Sequence, residues 1–242
     1  MVQSWVDWTP EPESEAFHAT RMEPVDWVSP ATVDVGAFGG KDRPFRIHQC
    51  GMKAFPAVVY SQTAIVAALE VAKEVRDLER IASIEVATTR RGFQQAGSEP
   101  EKWAPDTRET ADHSLPYLVA RAMFDGEISN ASYTADKLRD PRILAFMRRI
   151  DVKEDPAFAR PASNAPPTRV TATLDDGRKI TRQVDDMPGF PGKPMTRAEV
   201  ERKFRANIGK RWPAQRTAEV LQALWDLDRT DDLRGLMAKL AS

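Results

Sequence analysis

The side chains with the types and spacing for acid–base and anion chemistry are Lys53, Arg108, His113, Tyr117 and Arg121. His113 is one of three histidines and Tyr117 one of three tyrosines, and they stand four residues apart at a helix start. That spacing lets them share one helix face. A histidine exchanges protons near neutrality, and a tyrosine hydroxyl donates to a carboxylate or a leaving oxygen. Lys53 is a compact charge on a flexible stem just ahead of a predicted helix. Arg121 falls one turn beyond Tyr117, so both arginines are candidates to bind carboxylates. Each residue also has a plainer reading. His113 can cap the helix, Tyr117 can pack with its hydroxyl satisfied, and Lys53, Arg108 and Arg121 can be solvated. His48, in FRIHQC, reads as a hydrogen-bonded structural histidine, and Cys50 as a small buried residue with no base beside it.

The elements that must position these groups are readable from periodicity. Residues 62–78 carry an apolar stripe of Ile65, Ala68, Leu69, Ala72 and Val75, which predicts a helix. Residues 81–89 alternate as a strand does, with Ile81, Ser83, Glu85 and Ala87 opposite Ala82, Ile84, Val86 and Thr88. A loop with Gly92, Gly97, Pro100 and Pro105 follows. Leu115, Leu118, Val119, Ala122 and Met123 mark a helix over 114–125, with Pro116 tolerated in its first turn and Asp125-Gly126 ending it. Residues 140–149 predict a short helix and 150–153 the start of a strand. Residues 168–185 read as a hairpin about Asp175-Asp176-Gly177. After the Gly/Pro loop at 187–194 come helices only, the first announced by Thr196 and Glu199 at capping-box spacing. The expectation is an α+β fold, a mixed or antiparallel sheet with helices, then a helical C-terminal segment. Its parts are an extended arm at 1–44, an α+β domain at 45–187 and helices at 188–242. The arm holds Trp5, Trp8 and Trp27, costly to leave in water, so it should dock on its own core or a partner. Phe38-Gly39-Gly40-Lys41 reads as a turn.

Composition excludes several classes. The chain has 242 residues, with 35 basic and 36 acidic, so bulk charge argues for neither nucleic acid nor membrane. No apolar run approaches the length of a membrane span, and the residues from Met1 to Glu15 do not read as a secretion signal. One cysteine allows no internal disulfide and fits a reducing cytoplasm. No Cys/His pattern indicates a metal, and no cofactor motif is present.

Four segments, in order, resemble the C-terminal half of the MmgE/PrpD family, the 2-methylcitrate dehydratase-like enzymes. They are PFRIHQCGMKAFPAVVYSQ at 44–62, EPEKWAPDTRETADHSLPYLVARAMFDGEI at 99–128, DPRILAFMRRIDVKED at 140–155 and PGFPGKPMTRAEVERKFR at 188–205. The resemblance covers roughly residues 38–228. It implies an α+β lid whose active site lies against a separate helical domain, with C-terminal helices packing on that domain. It also implies cofactor-independent chemistry on small di- or tricarboxylates: dehydration, decarboxylation or epimerisation. Lys53 matches the family lysine of K-x-x-P, and His113 and Tyr117 match H-S-x-x-Y. Tyr60 stands where several relatives show histidine. The family's principal catalytic histidine and aspartate lie in the helical domain, which no segment here matches.

Dehydrating a hydroxy-polycarboxylate builds charge on the carboxylate beside the carbon that loses a proton. A cation must sit there, a base must reach the carbon, and an acid must help hydroxide leave. Lys53, His113 and Tyr117 are the catalytic candidates, and Arg108 and Arg121 the substrate-binding ones. Three readings follow: a subunit completed by a separate helical protein, an inactive interaction or carboxylate-binding module, or an enzyme working alone or through self-association.

Overall fold

The computed structural model describes residues 44–158, 165–209 and 211–241. The tryptophans of the arm and the turn at 38–41 lie outside the described residues. The chain divides into compact units at 1–48 and 49–242. In the first, Phe45 and Ile47 are exposed, and His48 sits in a short 3-10 turn, Arg46–Gln49. FRIHQC is thus a turn in part, and the His48 side chain lies on the surface. Cys50 is likewise exposed, not buried as expected.

Residues 49–242 form an α+β unit. Its open sheet runs in the order β2-β1-β3-β4. Here β1 is Ile81–Thr88, β2 Ile150–Glu154, β3 Thr168–Leu174 and β4 Lys179–Val184. β1 pairs parallel with β2 and antiparallel with β3, and β3 pairs antiparallel with β4. The β3–β4 hairpin turns at Gly177, at φ 82°, as the Asp-Gly signal predicts. In β3 every second residue is buried, so one sheet face meets the core.

Strict alternation puts Ile81 on the face away from Ile84 and Val86, yet all three are buried. The pairing slips there: Ile81 lies opposite Leu174, and Ser83 opposite the next residue back, Thr173. Ala82 is an extra residue, and the bulge swings Ile81 into the core.

Two helices cover the inner face. α1, Gln62–Val75, lies on β3 and β4. Between β1 and the next long helix come two short ones, α2, Arg90–Ala96, and α3, Arg108–Asp112, in a stretch read from sequence as loop. α4, Leu115–Asp125, packs on α1. Ser114 caps α4 by accepting the Tyr117 N–H at 3.1 Å, and Gly126, at φ 72°, ends it. The first nine residues of α4 are all buried, which makes it a central helix rather than an amphipathic one. α5, Ala135–Leu138, and α6, Pro141–Met147, lead into β2.

The C-terminal helices are α7, Arg197–Ile208, α8, Ala214–Trp225, and α9, Arg234–Ala241. The capping box at Thr196 and Glu199 forms as the spacing predicts. The Trp225 indole donates to Glu201 at 3.0 Å and lies under Arg197, tying α8 to α7. Leu227, Leu233 and Met237 remain exposed.

Candidate functional site

The centre of the site is the turn that carries K-x-x-P. Its backbone is held from several sides, so every exposed group on it has a fixed base. The buried Gln62 side chain, at the head of α1, accepts the Phe55 N–H at 3.0 Å and donates to the carbonyls of Phe55 and Ala57 at 3.1 Å. Tyr133 donates its hydroxyl to the Pro56 carbonyl at 2.7 Å. The Val58 N–H donates to the Asp112 carbonyl at 2.8 Å. Upstream, the Met52 N–H donates to the Gly189 carbonyl at 2.5 Å. Gly189 sits at φ 114°, and a Cβ there would meet the Met52 oxygen at 2.1 Å, so glycine alone permits this crossing.

Three of the sequence candidates converge on this turn. Lys53 is exposed, and its Nζ donates to the Ala57 carbonyl at 3.0 Å. Among the described residues it makes no ion pair with a carboxylate. One residue on, Val58 leads to Asp112, whose carboxylate lies 2.5 Å from His113 Nδ1. Nδ1 also lies 3.2 Å from the Glu109 carbonyl. Both neighbours are acceptors, so Nδ1 is the nitrogen that carries a hydrogen here, which leaves Nε2 turned away from both. The His113 side chain is 51% exposed. Arg108 stacks over the Tyr133 ring at 5.5 Å and donates to Asn130 at 2.9 Å, with Tyr133 in turn gripping Pro56.

The other two candidates are placed differently. Tyr117 is fully buried, and its hydroxyl donates to the Ser132 carbonyl at 2.5 Å. Burial pushes its pKa up, against the opposing pull of the Arg121 charge. Arg121 is 1% exposed, contrary to a solvated surface arginine. Its guanidinium donates to the Lys137 carbonyl at 2.6 Å, lies 3.3 Å from Asp125 and 3.8 Å from Asp140, and stacks over Tyr117 at 5.7 Å. These partner carboxylates offset the cost of burying that charge. Lys53 thus touches the turn directly, Arg108 and His113 are linked to it through Tyr133 and Asp112, and the polar ends of Tyr117 and Arg121 are engaged inside. His113 does not cap α4; Ser114 does.

Several residues escaped the sequence reading. Asp112 orients His113, Gln62 and Tyr133 fix the turn, and Tyr133 is pushed to a higher pKa, first by burial and then by the Asp112 charge. Asp112 could have been noticed as a carboxylate adjacent to the histidine. Nothing local marks Tyr133, which reaches Pro56 from 77 residues away. Beside the turn lies a groove of about 660 Å³, walled by Phe55, Pro56, Glu127, Asn130 and one face of α7. Among the described residues no group of three or more His, Cys, Asp and Glu side chains is placed to hold a metal. No helix among them is long and apolar enough to cross a membrane.

A four-stranded sheet packed against α1 and α4 defines an α+β domain, with the exposed Lys53 anchored on the turn ahead of α1. Residues 55–227 match the family model of the MmgE/PrpD C-terminal domain, and the chain belongs to that family. It is 30% identical over 187 residues to a 2-methylcitrate dehydratase of Cupriavidus necator, covering 74% of this chain and 38% of the relative. It is 26% identical over 189 residues to the 2-methylcitrate dehydratase of Salmonella typhimurium, covering 74% and 39%. A cis-aconitate decarboxylase of Mus musculus is 27% identical over 136 residues, covering 55% and 28%. The chain therefore spans less than two-fifths of the length of these relatives.

Proposed function

We propose that this chain supplies the Lys53-bearing wall of a lyase that dehydrates a small polycarboxylate such as 2-methylcitrate, without a cofactor, and that a helical protein partner supplies the other wall. The observation that carries the reading is the convergence of Lys53, Arg108 and His113 on the turn Pro56–Val58. In this reading Lys53 and Arg108 meet carboxylates of the substrate. The Lys53 ammonium faces the carboxylate on which charge develops as the neighbouring carbon loses its proton. The His113 Nε2 serves proton transfer: a base takes the carbon-bound proton, the C–O bond breaks, and the hydroxide leaves protonated as water while the double bond forms. Tyr117 and Arg121 stand behind, holding the helix that carries the H-S-x-x-Y element. The same surface would also suit decarboxylation of a related acid.

The need for a second wall is supported by exposure. Lys53, Arg108 and His113 all meet solvent, where water screens the field that would stabilise a developing carboxylate charge. Exposed Leu227, Leu233 and Met237 are suited to contact with another chain.

Co-expression with a helical MmgE/PrpD-type N-terminal protein should give a stable heteromer that converts 2-methylcitrate, with neither part active alone. Lys53→Ala in that heteromer should lower turnover by about 100-fold, from loss of one charged contact in the transition state, with assembly and melting temperature unchanged. Wild-type turnover in the assembled variant would remove Lys53 from the mechanism. A heteromer inactive on every di- and tricarboxylate tried would leave a binding module.

A further inference from the structure

Helix α7 turns a polar face to the groove. Glu199, Arg202, Lys203, Ala206 and Asn207 fall at i, i+3, i+4, i+7 and i+8, one continuous stripe of its wall. The stripe's own carboxylate is engaged elsewhere. Glu199 accepts the Thr196 N–H and hydroxyl, each at 2.8 Å, and these bonds hold its pKa below the usual range. Arg202 and Lys203 make no ion pair among the described residues. Lys203 Nζ donates to the Ala54 carbonyl at 3.4 Å, the residue next to Lys53. Burial, and then repulsion from the Lys53 charge, push its pKa down.

Two ammonium groups thus lie within reach of each other's field, and neither is neutralised by a carboxylate among the described residues. Both are anchored on carbonyls of one short turn, Lys53 on Ala57 and Lys203 on Ala54, and an anion bridging two like charges so placed offsets their repulsion. Lys203 is the more desolvated of the two, so a carboxylate gains more there than on open surface.

We propose that Lys203 is a ligand-binding residue, the second cation of the anion site begun by Lys53. Helix α7 is then part of the ligand site and not only a docking surface. The substrate class this fits carries at least two carboxylates, one for each ammonium. The inference rests on the polycarboxylate reading above. The remaining carboxylate of the groove, Glu127, pairs with neither lysine among the described residues, and it suits a ligand hydroxyl, which can donate to it.

The test is isothermal titration calorimetry on the full chain at fixed ionic strength, with tricarballylate, glutarate and propionate as tri-, di- and monocarboxylate probes. Lys203→Gln should weaken tricarballylate about tenfold, the worth of one charged hydrogen bond, and propionate less than twofold. Lys203→Arg, which keeps the charge, should restore most of the affinity and guards against a folding artefact. Lys53→Gln should show the same dependence on carboxylate number. If Lys53→Gln weakens tricarballylate and Lys203→Gln does not, the role of Lys203 is overturned while the polycarboxylate reading stands. A uniform loss across all three acids in Lys203→Gln would make Lys203 merely structural, acting through Ala54, and also overturn it. A wild-type chain that does not prefer the polycarboxylates overturns the Lys203 site, while turnover of 2-methylcitrate by the heteromer decides the polycarboxylate reading separately.

Discussion

Replacing Tyr117 by Phe separates the two roles open to that residue. The ring sits fully buried on α4, and its hydroxyl donates to the Ser132 carbonyl at 2.5 Å. Phenylalanine keeps the ring, so no cavity opens. What is lost is one hydrogen bond, and a buried carbonyl is left without that donor. Removing one partner of a buried pair costs about 1–3 kcal/mol. At about 2–4 °C per kcal/mol for a chain of this size, a loss of about 2 kcal/mol lowers the melting temperature by about 4–8 °C. Thermal unfolding followed by circular dichroism measures it.

The pH dependence gives an independent check on the same bond. Burial raises the Tyr117 pKa in the folded chain. A group raised on folding contributes stability that is full below its unfolded value, about 10 for tyrosine, and is lost as pH rises through the folded value. Wild type should therefore lose stability above about pH 10, and Tyr117→Phe should lose it less steeply. Tyr133, raised in the same direction, contributes to the same limb. An unchanged melting temperature together with an unchanged alkaline slope would refute the buried bond, and would return Tyr117 to the list of groups free to meet a ligand.

Gly189→Ala should destabilise by at least about 2 kcal/mol, because alanine resists a positive φ and its Cβ would strike the Met52 carbonyl; chemical denaturation checks it, and a neutral variant would mean that the two loops do not cross as described. Asp176 is held down to about 2, first by the Arg178 N–H and then by the Arg178 and Arg80 side chains. Its contribution is present above the unfolded value near 4 and is lost as pH falls towards about 2, so Asp176→Asn should flatten the acid limb in that window in pH-dependent melting.

Much of the fold was legible because it is local. The Asp-Gly turn, the Thr196 cap and the stripes of α1 and α4 each declare themselves within a dozen residues. Three features did not. The parallel pairing of β1 with β2 joins segments more than sixty residues apart, and nothing in either strand names its partner. The bulge at Ala82 changes which face Ile81 takes, against a clean alternation. Arg121 reads from sequence as a carboxylate-binding candidate or a solvated arginine; the first nine residues of α4 are buried, and the carboxylates beside Arg121 come from the end of its own helix and from Asp140.

The same asymmetry governs the site. The sequence marks residue types, and Lys53, His113 and Tyr117 are all visible as such. It does not mark which of them keep an open end. That is decided by bonds to backbone carbonyls: Ala57 takes one proton of Lys53 and leaves the ammonium exposed, whereas Ser132 takes the only proton Tyr117 has. An ammonium with three protons can be anchored and still donate to a ligand; a phenol whose one proton is engaged can only accept. On this ground the accessible chemistry passes to Lys53, Arg108 and His113. Tyr117 and Arg121 bond instead to the Ser132 and Lys137 carbonyls, and any proton donation by Tyr117 to a ligand must begin by breaking its bond to Ser132.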